Sequence, residues 1–275
     1  MPEGPEIRRA ADRVAECIAG QVAETVWFAF EHLKPFERQL SGVQVRAVEA
    51  RGKAMLTRFA NGLVIYSHNQ LYGRWYCCPA GERPDIKRQL RLAIHNRKSS
   101  ALLYSASDIE VLREDELASH PFLSRLGPDV LDPATGRALL LKRLNDRRFR
   151  SRRLGSLLTD QGFVAGLGNY LRCEILFVAG LHPCLRSVQL TDAQRLKLVD
   201  AMLQLPRQSY ETGGITNDLA RARELMASGA DFETARFRVF RREGLPCYRC
   251  GAPITKQVLN GQPTYLCLLC QRMER

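Results

Sequence analysis

Four cysteines in two C-x-x-C pairs, Cys247/Cys250 and Cys267/Cys270, carry the plainest chemistry in this sequence. Sixteen residues separate the pairs. Two such knuckles bring four thiolates into the tetrahedron that Zn²⁺ prefers, so one structural Zn²⁺ is expected. The intervening ITKQVLNGQPTYL reads as a hairpin with Asn260-Gly261 at its turn. Residues 236–275 hold eight Lys or Arg against two acids, so the module stays positive even after the thiolate charge of a zinc–tetracysteine centre is counted. It could lie on phosphates or act as a stabilising cap; by itself it does not imply catalysis.

The first residues, MPEGPE, hold a second candidate. Glu3 and Glu6 are three apart and share one helical face. Such a pair either serves acid–base chemistry or complements the dipole at a helix N-terminus. Taken alone, the residue types favour the dipole role. A third candidate lies mid-chain, where NDRRFRSRRL (145–154) carries five arginines and one acid. In AGLGNYLRCEIL (165–176), Gly166 and Gly168 form a tight turn and Asn169 stands at the expected N-cap of a helix. Glycines allow close approach of a phosphate, and a helix N-terminus offers free N–H groups and positive potential. Helix, double turn and second helix would grip a nucleic-acid backbone without reading its sequence.

The elements that must position these residues follow from periodicity. Residues 5–19 alternate as an amphipathic helix, with Pro5 in the first turn and Gly20 at the end. From 22 to 105, short runs such as VWFAF, VQVRAVEA, AMLTRFA, LVIYSH, RWYCC, LRLAIHN and SALLYS predict an antiparallel sandwich or barrel. Residues 108–123 read as a short helical pair, and GPDVLDP (127–133) as a linker. ATGRALLLKRLN, RLGSLLTDQGFVAG, NYLRCEILFVAGL and TDAQRLKLVDAMLQL read as helices, and 206–235 as a mobile loop.

The chain has 275 residues, 45% of them hydrophobic, and a net charge of +12. That is enough chain for a sizeable core, and the charge favours a polyanionic partner. No apolar run reaches the length of a membrane span and no signal peptide is evident, so a soluble cytoplasmic protein without a membrane partner is expected. The remaining cysteines, Cys17, Cys77, Cys78, Cys173 and Cys184, are read as buried free thiols.

MPEGPE, GLGNYLR and CxxC-x16-CxxC, in this order, resemble the formamidopyrimidine-DNA glycosylase/endonuclease VIII family of base-excision repair enzymes over essentially the whole chain. VWFAF, RGKA and SHNQLYG point to the endonuclease VIII branch, which acts on oxidised pyrimidines. The resemblance implies an α+β fold: an N-terminal catalytic β-sandwich domain with an N-terminal helix (1–124), a linker (125–133), a helix-two-turns-helix domain (134–235) and a zinc finger (236–275). It implies that Pro2, once Met1 is removed, is an amine nucleophile at the nucleotide C1′. Glu3 is then the acid/base for sugar ring opening, Glu6 a supporting proton carrier and Lys53 a contact to phosphate beside the lesion. Gln70, Leu71 and Tyr72 correspond to the residues that fill the hole left by a flipped base, and Asn169 to a clamp asparagine on DNA. At Gln262 the family pattern carries an arginine; a neutral amide cannot replace its bidentate phosphate contact, which is worth roughly 1.5–3 kcal/mol. The implied partner is double-stranded DNA with oxidised pyrimidine or abasic sites, bound by a monomer. The alternatives are a purine-directed glycosylase of the same fold, a non-catalytic zinc-dependent protein that binds damaged DNA, and a structural zinc-ribbon protein.

Overall fold

The computed structural model describes residues 2–259 and 261–273. The chain divides into two compact units, Met1–Arg125 and Leu126–Arg275. In the first, helix α1 (Gly4–Ile18) buries Ile7, Ala11, Val14 and Ile18 along one stripe. Pro5 lies in its first turn, where no helical hydrogen bond is lost. Gly20, just past its end, has φ +76° and donates its N–H to Val45 O at 2.8 Å.

Short strands follow: β1 (Val22–Ala23), β2 (Thr25–Phe28), then helix α2 (Lys34–Leu40), and β3 (Val43–Arg51), β4 (Ala54–Phe59), β5 (Leu63–His68), β6 (Arg74–Pro79), β7 (Leu90–His95), β8 (Ser99–Tyr104) and β9 (Asp108–Arg113). They form a five-stranded sheet, β1-β3-β4-β5-β9, and a four-stranded sheet, β2-β7-β8-β6. Neighbours are antiparallel throughout. Alternate residues of the two sheets, among them Val45, Met55 and Ile65 from one and Phe28, Leu92 and Leu103 from the other, meet Ala11, Val14 and Ile18 of α1 in one core. The expected sandwich is therefore present. The expected helical pair at 108–123 is not: Asp108–Arg113 is the edge strand β9, paired with β5, and only short 3-10 turns follow. The alternation of Ile109 and Val111, both packed against the core, has the period of a strand. The 3-10 turns then lay Leu117, Phe122 and Leu123 over Leu56, Val64 and Tyr66 on the outer face of the sheet.

The second unit holds α3 (Arg137–Asn145), α4 (Leu154–Leu157), α5 (Asn169–Ala179), α6 (Asp192–Glu211), α7 (Leu219–Ala227), α8 (Phe232–Ala235) and the hairpin β10 (Thr255–Leu259) with β11 (Gln262–Leu266). Leu140, Leu144, Phe163, Leu171, Ile175, Leu198, Met202 and Leu205 centre its core. The stretch expected as a linker is held to this unit, since Gly127 N–H donates to Gln161 O at 2.8 Å and Val130 is buried. RLGSLLTDQGFVAG is helical for one turn only, because the Asp160 carboxylate takes the Gly162 N–H at 2.7 Å and folds the chain back. Residues 206–235 are not a loop. The helix α6 runs through Pro206, and Asp218 and Asp231 cap α7 and α8 by accepting from Arg221 and Thr234 N–H at 3.0 and 2.8 Å. Among the described residues no helix is long and apolar enough to cross a membrane.

The helix α5 is buried along most of its length and carries two charged side chains inside. Glu174, fully buried, accepts from Arg238 N–H (2.8 Å), Val239 N–H (2.8 Å), Phe240 N–H (3.0 Å) and Thr216 Oγ1 (2.9 Å). Glu174→Ala strands these donors in the interior. Thermal or urea unfolding is expected to show a loss of about 3 kcal/mol or more, with Glu174→Gln recovering only part of it.

Candidate functional site

The first turn of α1 is fastened by its own carboxylates. Glu3 is the N-cap, and its backbone N–H donates to Glu6 Oε2 at 3.0 Å. Glu6 also meets Arg9 at 3.4 Å. This is half of a capping box, and it fixes the peptide that follows Pro2. Glu3 is only 3% exposed. Lys53, 9% exposed, occupies the two-residue turn between β3 and β4, where Arg51 pairs with Ala54 and Gly52 takes φ +61°. Burial holds the Lys53 ammonium below the ordinary lysine range, and the charges of Glu3 and Glu6 oppose that shift. Thus Glu3, Glu6 and Lys53, far apart in sequence, share one electrostatic cluster beside residue 2.

Pro2 and Glu6 line a cleft of about 460 Å³ with Ala10, Arg13, Leu71, Tyr72 and Tyr76 among its other walls. Its size suits a nucleoside-sized group. Leu71 and Tyr72 stand on the 69–73 turn between β5 and β6 and are 58% and 70% exposed, so neither packs inward. The turn is closed by Gly73 N–H donating to Asn69 O at 2.7 Å. Gln70, at φ +49°, donates its N–H to His68 Nδ1 (3.0 Å) and accepts from Ser107 Oγ (3.0 Å). Burial keeps the His68 imidazole below its usual range, with Asp108 opposing and Lys53 adding to the shift. A neutral ring leaves Nδ1 free to accept, so His68 positions the tip.

In the second unit Gly168, not Asn169, is the N-cap of α5. Asn169 is the first helical residue. Its Nδ2 donates to Pro263 O at 3.0 Å and its Oδ1 accepts from Arg172. The turn before it is braced by Gln161, whose Oε1 takes the Gly166 N–H (3.0 Å) and whose Nε2 donates to Leu167 O (2.8 Å). Gln262 is exposed at the start of β11, and its Oε1 accepts from Arg172 Nη1 at 3.3 Å. Arg172 is 1% exposed and also donates to Thr264 Oγ1 at 2.7 Å and Pro263 O at 3.3 Å. The structure thus brings Asn169 and Gln262 together around one buried guanidinium. Of the arginine run, Arg147, Arg148, Arg150 and Arg153 are exposed, while Arg152 pairs with Asp160.

The sulfurs of Cys247, Cys250, Cys267 and Cys270 lie within 4.8 Å of one another. A tetrahedron with zinc–sulfur bonds of about 2.3 Å fits that spacing. Each knuckle closes the same way, with Gly251 N–H on Cys247 O and Gln271 N–H on Cys267 O, both at 2.9 Å. β10 and β11 pair as the expected hairpin; Gly261 has φ +71°, and Asn260 of the expected turn lies outside the described residues. Of the other cysteines only Cys173 is buried, and Cys77 is exposed, contrary to the reading of all five as interior thiols. Sequence reasoning also missed Arg172, Glu174 and His68. The signal for the first two was a pair of charges inside the otherwise apolar run NYLRCEILFVA; for His68 there was none.

Family models match three stretches. Residues 1–107 match the formamidopyrimidine-DNA glycosylase N-terminal domain, 126–220 the formamidopyrimidine-DNA glycosylase H2TH domain, and 244–272 a zinc finger found in FPG and IleRS. The chain is 49% identical over 272 residues to Endonuclease 8 of Pectobacterium carotovorum, covering 99% of this chain and 100% of that one. It is 49% identical over 271 residues to Endonuclease 8 of Escherichia coli, covering 98% and 100%. Among solved structures, Lactococcus lactis Fpg (MutM) in complex with DNA containing N7-benzyl-Fapy-dG superposes with a TM-score of 0.81 at 21% identity, covering 99% of this chain and 100% of that one. The same Fpg bound to DNA containing an abasic site gives 0.81 at 21% identity, with 98% and 100% covered.

A Cβ at position 73 would lie 2.6 Å from Asn69 O and 2.7 Å from its Cα. Gly73→Ala is therefore expected to open the turn, lower stability by about 1–3 kcal/mol and speed chymotryptic cleavage after Leu71 and Tyr72. Because the Glu3 charge supports the Lys53 ammonium, Glu3→Gln should move the Lys53 titration further down, read by NMR of labelled lysine Nζ.

Proposed function

Because this chain belongs to the formamidopyrimidine-DNA glycosylase/endonuclease VIII family, we propose that it removes oxidised pyrimidines from double-stranded DNA through Pro2. Strand cleavage by β- and then δ-elimination follows. It is a DNA glycosylase with AP lyase activity, and lesion class and elimination order are the finer parts of the proposal.

Removal of Met1 frees the secondary amine of Pro2. An α-amine has a pKa near 8, well below lysine, and the positive end of α1 disfavours its protonation further. The neutral amine attacks C1′ of the damaged nucleotide and the base leaves, giving an iminium at C1′. Glu3 supplies the proton that opens the sugar ring. Glu6 holds the Glu3 peptide and carries protons in support. The iminium draws electrons from C2′, whose proton is lost as the 3′-phosphate departs; the 5′-phosphate departs in the second elimination. Lys53, whose positive charge Glu3 and Glu6 favour against the effect of burial, balances the phosphate beside the lesion. Leu71 and Tyr72 occupy the gap left by the everted base, with Gln70 at the same tip. In the other unit, Asn169, Gln262 and the exposed arginines 147, 148, 150 and 153 hold backbone phosphates. One Zn²⁺ on Cys247, Cys250, Cys267 and Cys270 keeps the hairpin folded.

The observation that supports this chemistry most directly is the buried Glu3, its N–H fastened to Glu6, adjoining a Pro2 that opens on the cleft. Borohydride trapping tests it on duplexes carrying an oxidised pyrimidine, an oxidised purine or an abasic site. A covalent adduct mapping to residue 2 is expected, absent in Pro2→Gly and slowed by about 10²–10⁴-fold in Glu3→Gln. A protein with Met1 removed that binds the duplexes but forms no adduct would be a damage-binding protein instead. Faster trapping on the purine lesion would overturn the substrate assignment.

A further inference from the structure

Cys17 and Cys77 are sixty residues apart in sequence and belong to different elements, yet the packing of β6 on α1 sets Cys77 against the helical turn that carries Cys17. Cys17 lies in the last turn of α1, and Cys77 lies on β6, against which α1 packs. The Cys77 sulfur also lies 3.5 Å from Arg13 O, one helical turn before Cys17. Strand alternation explains why Cys77 and not its neighbour makes this contact. Cys77 shares its face with Trp75, which packs in the core beside α1, whereas Cys78 points to the other face and meets Glu82 O at 3.1 Å. Cys77 is exposed and lines the cleft with Arg13, Pro2 and Glu6; Cys17 is half-buried, so small solutes reach both.

We propose that Cys17 and Cys77 form an oxidisable dithiol, converted by a peroxide to a disulfide that ties α1 to β6 in the wall of the cleft. The chemistry balances in two steps. The Cys17 thiolate attacks one peroxide oxygen. The O–O bond breaks, an S–O bond forms, and the second oxygen leaves as water after taking a proton from solvent, so that sulfur is oxidised by two electrons to a sulfenic acid. The Cys77 sulfur then displaces hydroxide from Cys17. The S–S bond forms, the S–O bond breaks, and the Cys77 proton leaves with the hydroxide as water. The neighbouring Cys77 thiol draws the Cys17 thiol down to about 6 against the effect of burial, which favours the attacking thiolate. The four cysteines placed to hold zinc belong to the other unit, and Cys173 is buried.

The test uses the zinc-loaded full chain treated with hydrogen peroxide, then capped with iodoacetamide and mapped by mass spectrometry. The intact protein should lose two hydrogens, with the Cys17 and Cys77 peptides joined and dithiothreitol restoring both thiols. Cys78→Ser should keep the bridge, and Cys17→Ser and Cys77→Ser should lose it. Should either variant fail to fold, the wild type alone decides: peroxide must abolish iodoacetamide labelling of Cys17 and Cys77 while Cys184 still labels. A bridge joining Cys77 to Cys78, release of zinc with Cys17 still labelling, or no bridge at all would overturn the proposal. None of these readouts depends on DNA chemistry, so the outcome is independent of the glycosylase mechanism.

Discussion

One hydrogen bond, from the Glu3 backbone N–H to the Glu6 carboxylate, sets the geometry of the amino-terminal site. Chain ends fray unless something ties them down. Here the tie is made by a side chain of the helix itself, which fixes the peptide after Pro2 to the first turn of α1. The consequence is that Glu3 can be buried. A buried carboxylate is costly unless a partner offsets it, and Lys53 in the β3–β4 turn supplies the opposite charge. Lys53 is itself buried, so the two groups compensate each other's desolvation. Removing either leaves the other exposed to that penalty, which makes the cluster structurally coupled.

In the other unit the same logic is applied to a helix. The fully buried Arg172 and Glu174 lie on α5 and engage different segments of chain. Glu174 collects the amides of residues 238–240, which lead into the zinc module, and Arg172 collects acceptors on β11. The hairpin is therefore held to α5 by charge-assisted hydrogen bonds from both sides of the cysteine cluster. Apolar contact through Cys173, Phe177, Val239 and Ile254 adds to them. This arrangement also gives a physical account of Gln262. Its carbonyl serves as an acceptor for a buried cation, a role the donor-only guanidinium of an arginine could not fill. The neutral residue satisfies an interior donor.

Much of the molecule was legible beforehand. The amphipathic period of α1, the alternating runs of the sandwich and the paired C-x-x-C knuckles all carry their physics locally, in spacing and side-chain type. The errors have physical causes too. Asp108–Arg113 has apolar residues at period two, but the run is short and flanked by acids, and its strand character comes from the free edge of β5 beside it. Residues 206–235 lack a strong apolar period. They are helical because Asp218 and Asp231 cap the turns and because Thr216 and Asn217 N–H both donate to Arg236 O at 2.9 Å. Asn169 has the residue type of an N-cap, yet its side chain is taken by Pro263 and Arg172, leaving Gly168 to begin the helix.

Residue types and short spacings already set the kinds of chemistry available: four thiolates at zinc spacing, two carboxylates on one turn, glycines before a helix, and a basic surface. Those depend on residue identity and on separations of a few positions, which the chain's local geometry converts directly into faces and turns. Which groups from distant positions share a site was settled by the packing of the fold. It brought Lys53 under the charges of Glu3 and Glu6, set His68 beneath Gln70, joined Asn169 to Gln262 through Arg172, and turned Cys77 rather than Cys78 toward Cys17. Each of these depends on sheet register and on which face of a strand or helix is buried. A shift of one residue reverses a strand's faces, and the registers here are set by packing across the whole unit.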